Sequence, residues 1–219
     1  MPTPYYDHGG ITIYHGDCRE VLPGLVADAV VTDPPYGMAW NTDFSRFSGG
    51  SSASVARRGS GRVYSAGVAG DDHPFDPLPW LAFDRVILWG YHHFAERLPG
   101  GSVLVWIKRN DPAFGSFLSD AELAWMKGGC GVYCRRDLSL NGETSTREHP
   151  TQKPVPLMRW CIEKVGDAGT ILDPFMGSGT TLVAAKNLGR KAIGVEIEER
   201  YCEIAAKRLA QETLFGIGG

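Results

Sequence analysis

Thr170-Ile171-Leu172-Asp173-Pro174-Phe175-Met176-Gly177-Ser178-Gly179-Thr180-Thr181 decides how this chain folds. Thr170 to Leu172 reads as a short buried strand that stops at a carboxylate and a proline, because proline cannot donate to a strand ladder. Small residues make the turn, and the apolar-periodic run Leu182 to Leu188 predicts a helix directly after it. Gly177 and Gly179 let the backbone approach a ligand closely, and the helix start offers unpaired N–H groups. Ala192 to Glu196 then predicts the next strand, so strand, loop, helix and strand form one unit of a parallel α/β sheet.

The loop matches neither common phosphate-binding pattern. A P-loop needs Lys after its last Gly, where Thr180 stands, and the dinucleotide fingerprint needs a third Gly that is missing. Asp173 beside a pyrophosphate would be repulsive, but it suits a cationic amino group. Glu196 ends the following strand near the roughly 20-residue offset at which an acidic side chain meets ribose hydroxyls. The ligand therefore carries adenosine and an ammonium with few or no phosphates, and S-adenosylmethionine fits. A tight turn with incidental glycines is the plain alternative, and the paired Glu196 counts against it.

Working outward, Asp33-Pro34-Pro35-Tyr36 repeats the motif of a carboxylate at a strand's end, here after Asp28 to Thr32. Taken alone it is a strand-ending turn as readily as a site. An earlier strand, Ile11 to His15, leads into Gly16-Asp17-Cys18. Further strands are expected at Val86 to Trp89 and Ser102 to Ile107, and helices at 76–83, 91–98, 155–165 and 198–211. Leu157, Met158, Cys161, Ile162 and Val165 should face the core. Ala121 to Met126 and Gly131 to Cys134 read as a hairpin around Lys127-Gly128-Gly129. Residues 109–148 as a whole read as a small appended element with target recognition as its role. Residues 45–70 are rich in Ser, Gly and Ala, with Arg46, Arg57, Arg58 and Arg62 and no acidic residue. Such a segment buries too little apolar surface to order itself, which predicts a mobile loop that orders on phosphates.

At 219 residues and 43% hydrophobic content, the chain suits one domain with a small inserted unit. The start shows no signal-peptide pattern and no apolar run reaches spanning length, which implies a soluble cytoplasmic protein. Five cysteines, an odd number, form no framework, and Cys130 and Cys134 lack a second ligand pair for zinc. No metal site is expected. A net charge of −3 means nucleic acid would be held by local basic surface alone.

Taken together, Gly16-Asp17-Cys18, Asp33 to Tyr36, His149 to Pro154, Asp173 to Thr181 and Gly194-Val195-Glu196 resemble the β-group amino-DNA methyltransferases, in which the catalytic motif precedes the cofactor motif. The resemblance implies a Rossmann-like fold with a seven-stranded, mostly parallel sheet, helices on both faces, and Asp33 beside Asp173. It implies that Asp173, Phe175 and the Gly177-Ser178-Gly179 backbone hold the methionine end of S-adenosylmethionine. Glu196 would take the ribose hydroxyls, Asp17 and Cys18 would contact the adenine, Thr151 and Lys153 would seal the methionine carboxylate, and Thr180 and Ile197 would also line the cofactor.

The chemistry of the first motif also follows directly. A base amine is a poor nucleophile because its lone pair is delocalised into the ring. Accepting its hydrogens on the Asp33 carboxylate and the Pro34 carbonyl favours a pyramidal nitrogen that attacks a methyl in line. Pro35 stiffens the turn and Tyr36 stacks on a base flipped out of the duplex. Trp40 offers a second stacking surface or a core residue.

Asp33, where cytosine-N4 enzymes often carry Ser, points to adenine N6, with cytosine N4 as the alternative. Protein-glutamine methylation is disfavoured by Asp33 in place of Asn and by the motif order. A non-catalytic DNA- or cofactor-binding module is disfavoured by the intact motifs. Arg46, Arg57, Arg58, Arg62, Lys108 and Arg109 are the candidate phosphate contacts on DNA. The small recognition region leaves relaxed specificity, a homodimer or a partner subunit open.

Overall fold

The computed structural model describes residues 2–38, 70–115, 119–138 and 152–210. The 45–70 loop, up to residue 69, and Trp40, His149, Pro150 and Thr151 lie outside these described residues. The chain divides into two compact units, Met1–Pro34 with Asp76–Gly219, and Pro35–Phe75. The division falls inside the one domain expected from the sequence.

The larger unit is built on an eight-stranded sheet: β1 (Tyr6–His8), β2 (Ile11–His15), β3 (Ala29–Thr32), β4 (Val86–Trp89), β5 (Gly101–Ile107), β6 (Ala121–Arg136), β7 (Thr170–Asp173) and β8 (Lys191–Glu196), in the order β1-β2-β8-β7-β3-β4-β6-β5. The expected Rossmann-like α/β fold is present, on a mixed sheet whose central strands are parallel. The eighth strand is the short β1, which the sequence reading missed and which pairs antiparallel with β2 on the edge.

β2, β8, β7, β3 and β4 run parallel. β3 and β4 are buried at every residue, as strands covered on both faces must be. β5 instead alternates, burying Ser102, Leu104 and Trp106. From β7 the chain continues to β8 on one side, and from β3 to β4 on the other. The β7–β3 boundary is therefore the switch point of the sheet, where ligands bind in open α/β folds. Asp173 ends β7 and Asp33 directly follows β3.

The expected hairpin between 121–126 and 131–134 is not how β6 is arranged. Residues 121–127 run antiparallel to β5, with Ser102 opposite Met126 and Ile107 opposite Ala121; residues 132–136 run parallel to it, with Val103 opposite Val132 and Ile107 opposite Arg136. β5 is thus inserted between the two arms. Gly128 and Gly129, both with positive φ, carry the chain around its start, and a Cβ on Gly129 would meet Ser102 Oγ at 2.6 Å. The first arm also pairs with β4. Residues 121–127 are therefore part of the central sheet.

The helices are α1 (Cys18–Val21), α2 (Val155–Lys164), α3 (Thr180–Asn187) and α4 (Glu199–Ala210). α2 packs on α3 and β3, and α4 packs on α3, β2 and β8. Leu157, Met158, Cys161, Ile162 and Val165 are all buried, as their spacing requires. The helices expected at 76–83 and 91–98 are instead short 3-10 segments at Leu78–Ala82, Tyr91–His93 and Ala95–Arg97. Gly90 at φ 82° and Pro99 bound the 91–98 stretch.

Candidate active site

Two carboxylates stand at the switch point. Asp173 is 3% exposed. Its Oδ1 accepts from Thr32 Oγ1 at 2.6 Å and from the backbone N–H of Phe175 at 3.2 Å. Burial raises its pKa to about 6 against the hydrogen bonds from Thr181, Thr32 and Phe175 that oppose it, with the Asp33 charge adding to the rise. Thr32 thus ties the end of β3 to the end of β7.

Glu196, at the end of β8, accepts from Gly177 N–H (2.9 Å) on one oxygen and from Glu198 N–H (2.8 Å) on the other. Burial again dominates and raises its pKa to about 7. Each oxygen keeps a second lone-pair direction for a hydroxyl donor. One buried and one half-buried carboxylate, both with raised pKa values, fit a ligand that brings a cation and paired hydroxyls, the donor set expected for S-adenosylmethionine.

The loop between them is held from behind. Gly177 and Gly179 both have positive φ, and a Cβ on Gly179 would lie 2.7 Å from Ala205 Cβ of α4. Gly179 is therefore required by helix packing as well as by its turn. Arg208 of α4 donates to the Ser178 carbonyl, to Ser178 Oγ (3.0 Å) and to Thr180 Oγ1 (3.3 Å). Phe175 packs edge-on against Trp80 at 5.6 Å. Ile197 is half exposed, and its carbonyl faces His15 Nε2 at 3.1 Å.

Asp17 caps α1 through the N–H of Arg19 (2.9 Å) and pairs with the Arg19 guanidinium, which lowers its pKa. Cys18 is buried, and burial pushes its thiol to about 11. It is a neutral group at physiological pH.

Asp33 has a different environment from Asp173. Lys153 Nζ lies 2.5 Å from Asp33 Oδ2 and 3.1 Å from Glu122 Oε2, and it faces the Trp89 ring at 5.6 Å. Lys108 Nζ completes the chain of charges at 2.8 Å from Glu122 Oε1. Burial would raise Glu122, but the Lys153 and Lys108 ammoniums overcome it and hold its carboxyl at about 2. The structure thus sets Lys153, read from the resemblance as a methionine-carboxylate ligand, between two carboxylates of the protein. Lys108, read as a phosphate contact, is engaged by Glu122. Arg109 makes a long contact to the Ser119 carbonyl, 3.4 Å.

In the smaller unit, Asp71 Oδ1 accepts three successive backbone N–H groups, from Tyr36 (3.0 Å), Gly37 (2.8 Å) and Met38 (3.2 Å). It fixes the backbone that carries the Tyr36 ring. Sequence reasoning missed both Glu122 and Asp71. A lone acid inside the apolar run Ala121 to Met126 was the available signal for Glu122. Nothing local marks Asp71, whose partners lie over thirty residues away.

Comparison with known proteins agrees with this geometry. The N6/N4 methyltransferase family model, described as DNA methylase, matches residues 121–207. M2.LlaDCHI, a type II methyltransferase of Lactococcus lactis subsp. cremoris, is 26% identical over 99% of this chain and 96% of its own length. Among solved structures, the M1.HpyAVI–SAM complex superposes with a TM-score of 0.56 at 24% identity, covering 90% of this chain and 99% of that one. The cytosine-N4-specific PvuII DNA methyltransferase gives a TM-score of 0.60 at 15% identity, covering 96% and 90%. The matched segment takes in the β7 loop and Glu196, and the relative aligned over nearly the whole chain extends the likeness to Asp33 through Tyr36; together these matches support assignment to the DNA N6/N4 methyltransferase family.

Proposed function

We propose that this protein transfers a methyl group from S-adenosylmethionine to the exocyclic N6 amine of an adenine flipped out of DNA. The observation that carries the reading is the pair of carboxylates at the switch point, one buried among hydroxyl and N–H donors and one held by an ammonium. When bound, S-adenosylmethionine supplies an electrophilic methyl on a sulfonium that departs as a neutral thioether. Asp173 would pair with its ammonium and Glu196 would accept its ribose hydroxyls, while the Gly177 to Thr180 backbone would hold its methionine end. Asp17, Cys18 and Ile197 would border the adenosine, and Thr151 is the residue the resemblance assigns to the methionine carboxylate.

Asp33 accepts one hydrogen of the base amine and the Pro34 carbonyl the other, which localises the lone pair on nitrogen. After transfer the nitrogen loses a proton through Asp33. Positioning and electrostatics carry the step, with no covalent enzyme intermediate. Pro35 stiffens the turn and the Tyr36 ring stacks on the base. Arg46, Arg57, Arg58, Arg62 and Arg109 contribute phosphate contacts.

Asp33 supports adenine over cytosine, because the N4 enzymes of this family often carry Ser at that position. Incubation with labelled S-adenosylmethionine and mixed-sequence DNA, followed by nucleoside mass analysis, tests the proposal. N6-methyladenine is expected. N4-methylcytosine alone would reassign the base, and absence of methylated nucleosides would overturn the reading.

A further inference from the structure

Glu122 is a charged residue in the core-facing arm of β6, and the reaction as described gives it no task. Its backbone is locked by pairing, opposite Trp106 of β5. One carboxylate oxygen meets Lys108 and the other meets Lys153. Lys153 is the most enclosed of the four charges, with its side chain 6% exposed, and it reaches Asp33 with the same Nζ that meets Glu122. Two acids and two bases alternate, Asp33–Lys153–Glu122–Lys108, so the chain carries no net charge.

A lysine ammonium is a point charge on a flexible stem and does not by itself orient a carboxylate. Held by a second carboxylate on a sheet strand, it acquires a defined position. We propose that Glu122 is a positioning residue of the methyl-transfer site: from β6 it fixes the Lys153 ammonium against Asp33 Oδ2, and so sets the direction in which the other Asp33 oxygen meets the base amine. Lys108 in turn fixes Glu122. Misplacement of a reacting group by about 1 Å costs roughly 10²-fold in rate, so an anchor that never touches substrate still governs the chemical step. The role rests on the methyl-transfer reading above.

The test is single-turnover methyl transfer from labelled S-adenosylmethionine to mixed-sequence DNA by the wild-type chain and E122Q, with cofactor Kd by calorimetry and Tm measured alongside. E122Q is expected to lower the transfer rate about 10- to 100-fold, with cofactor Kd within about twofold and the Tm retained. E122D, which keeps the charge, should recover part of the rate. If E122Q does not fold, K108Q removes the outer anchor and leaves the inner three charges; it should show a smaller fall of the same pattern. A wild-type rate in E122Q, or a parallel loss of rate, cofactor affinity and Tm, would overturn the role and leave Glu122 a staple of the sheet. An inactive wild-type chain would overturn the function reading, and the Glu122 role with it. That outcome is distinct from an active wild type with an unimpaired E122Q.

Discussion

Asp33 and Asp173 begin from the same local grammar and end in opposite surroundings. Each follows an apolar strand, each precedes a proline, and the two strands are hydrogen-bonded neighbours. Asp173 is enclosed by hydroxyls and a backbone N–H, with no cation paired to it among the described residues, and its pKa rises to about 6. Asp33 lies against the Lys153 ammonium, which Glu122 shares. A carboxylate buried without a counter-ion is poised to receive a cation from a ligand. One already paired is kept in place for a neutral hydrogen donor. In the proposed function the partner, rather than the residue type, divides the two tasks.

The sharpest way to break this comparison is Asp33→Ala. Methyl transfer should fall by about 10³-fold or more, in the range of a lost proton acceptor at the reacting atom. Cofactor Kd should not weaken, because removing the Asp33 charge takes away one cause of the raised Asp173 pKa. Single-turnover rates and calorimetry separate the two quantities, and a lost cofactor affinity would move Asp33 to the cofactor side.

Second in size is the effect of pH on cofactor binding. An ammonium favours ionised Asp173, and hydroxyl donors favour ionised Glu196, so protons compete with the ligand below pH values of about 6 and 7. Kd should weaken by about tenfold or more between pH 8 and pH 5. Stability without ligand should run the other way. Both groups bind their proton more tightly when folded, so their contribution is full below the unfolded values near 4 and is lost as pH rises through about 6 and 7. Titration calorimetry and thermal unfolding at pH 5, 6, 7 and 8 measure both slopes, and Asp173→Asn should flatten them. Equal slopes in wild type and variant would show that Asp173 is not the titrating group.

The smallest expected effect comes from Thr32→Val, which keeps the shape and removes the hydroxyl on Asp173. One hydrogen bond to a charged group is worth about 1.5–3 kcal/mol. Cofactor Kd should weaken by roughly tenfold, with the Asp173 transition moved to higher pH and the transfer rate at saturating cofactor little changed.

Most strands were legible because buried parallel strands leave short continuous apolar runs, as in Val86 to Trp89, and because Gly and Pro mark their ends. The proposed cofactor side could be read from the chain for a related reason. Asp173, Gly177, Gly179 and Glu196 sit within one strand-loop-helix-strand unit, where spacing in the chain becomes spacing in space. β1 was missed because three residues beside Gly9-Gly10 give no periodic signal, and the arms of β6 were misassigned because pairing across a glycine turn looks local when it is not.

The sequence by itself determined the strand-end carboxylates, the glycine turn between β7 and α3, and the order of the two motifs, since each depends on neighbours a few residues away. Only the tertiary structure decided what each carboxylate meets. Thr32 reaches Asp173, Lys153 reaches Asp33, Glu122 reaches Lys153, and Arg208 braces the loop, across separations from about thirty to over one hundred residues. Such contacts are fixed by which strands lie side by side. Strand order follows from packing the whole sheet, and no local pattern encodes it.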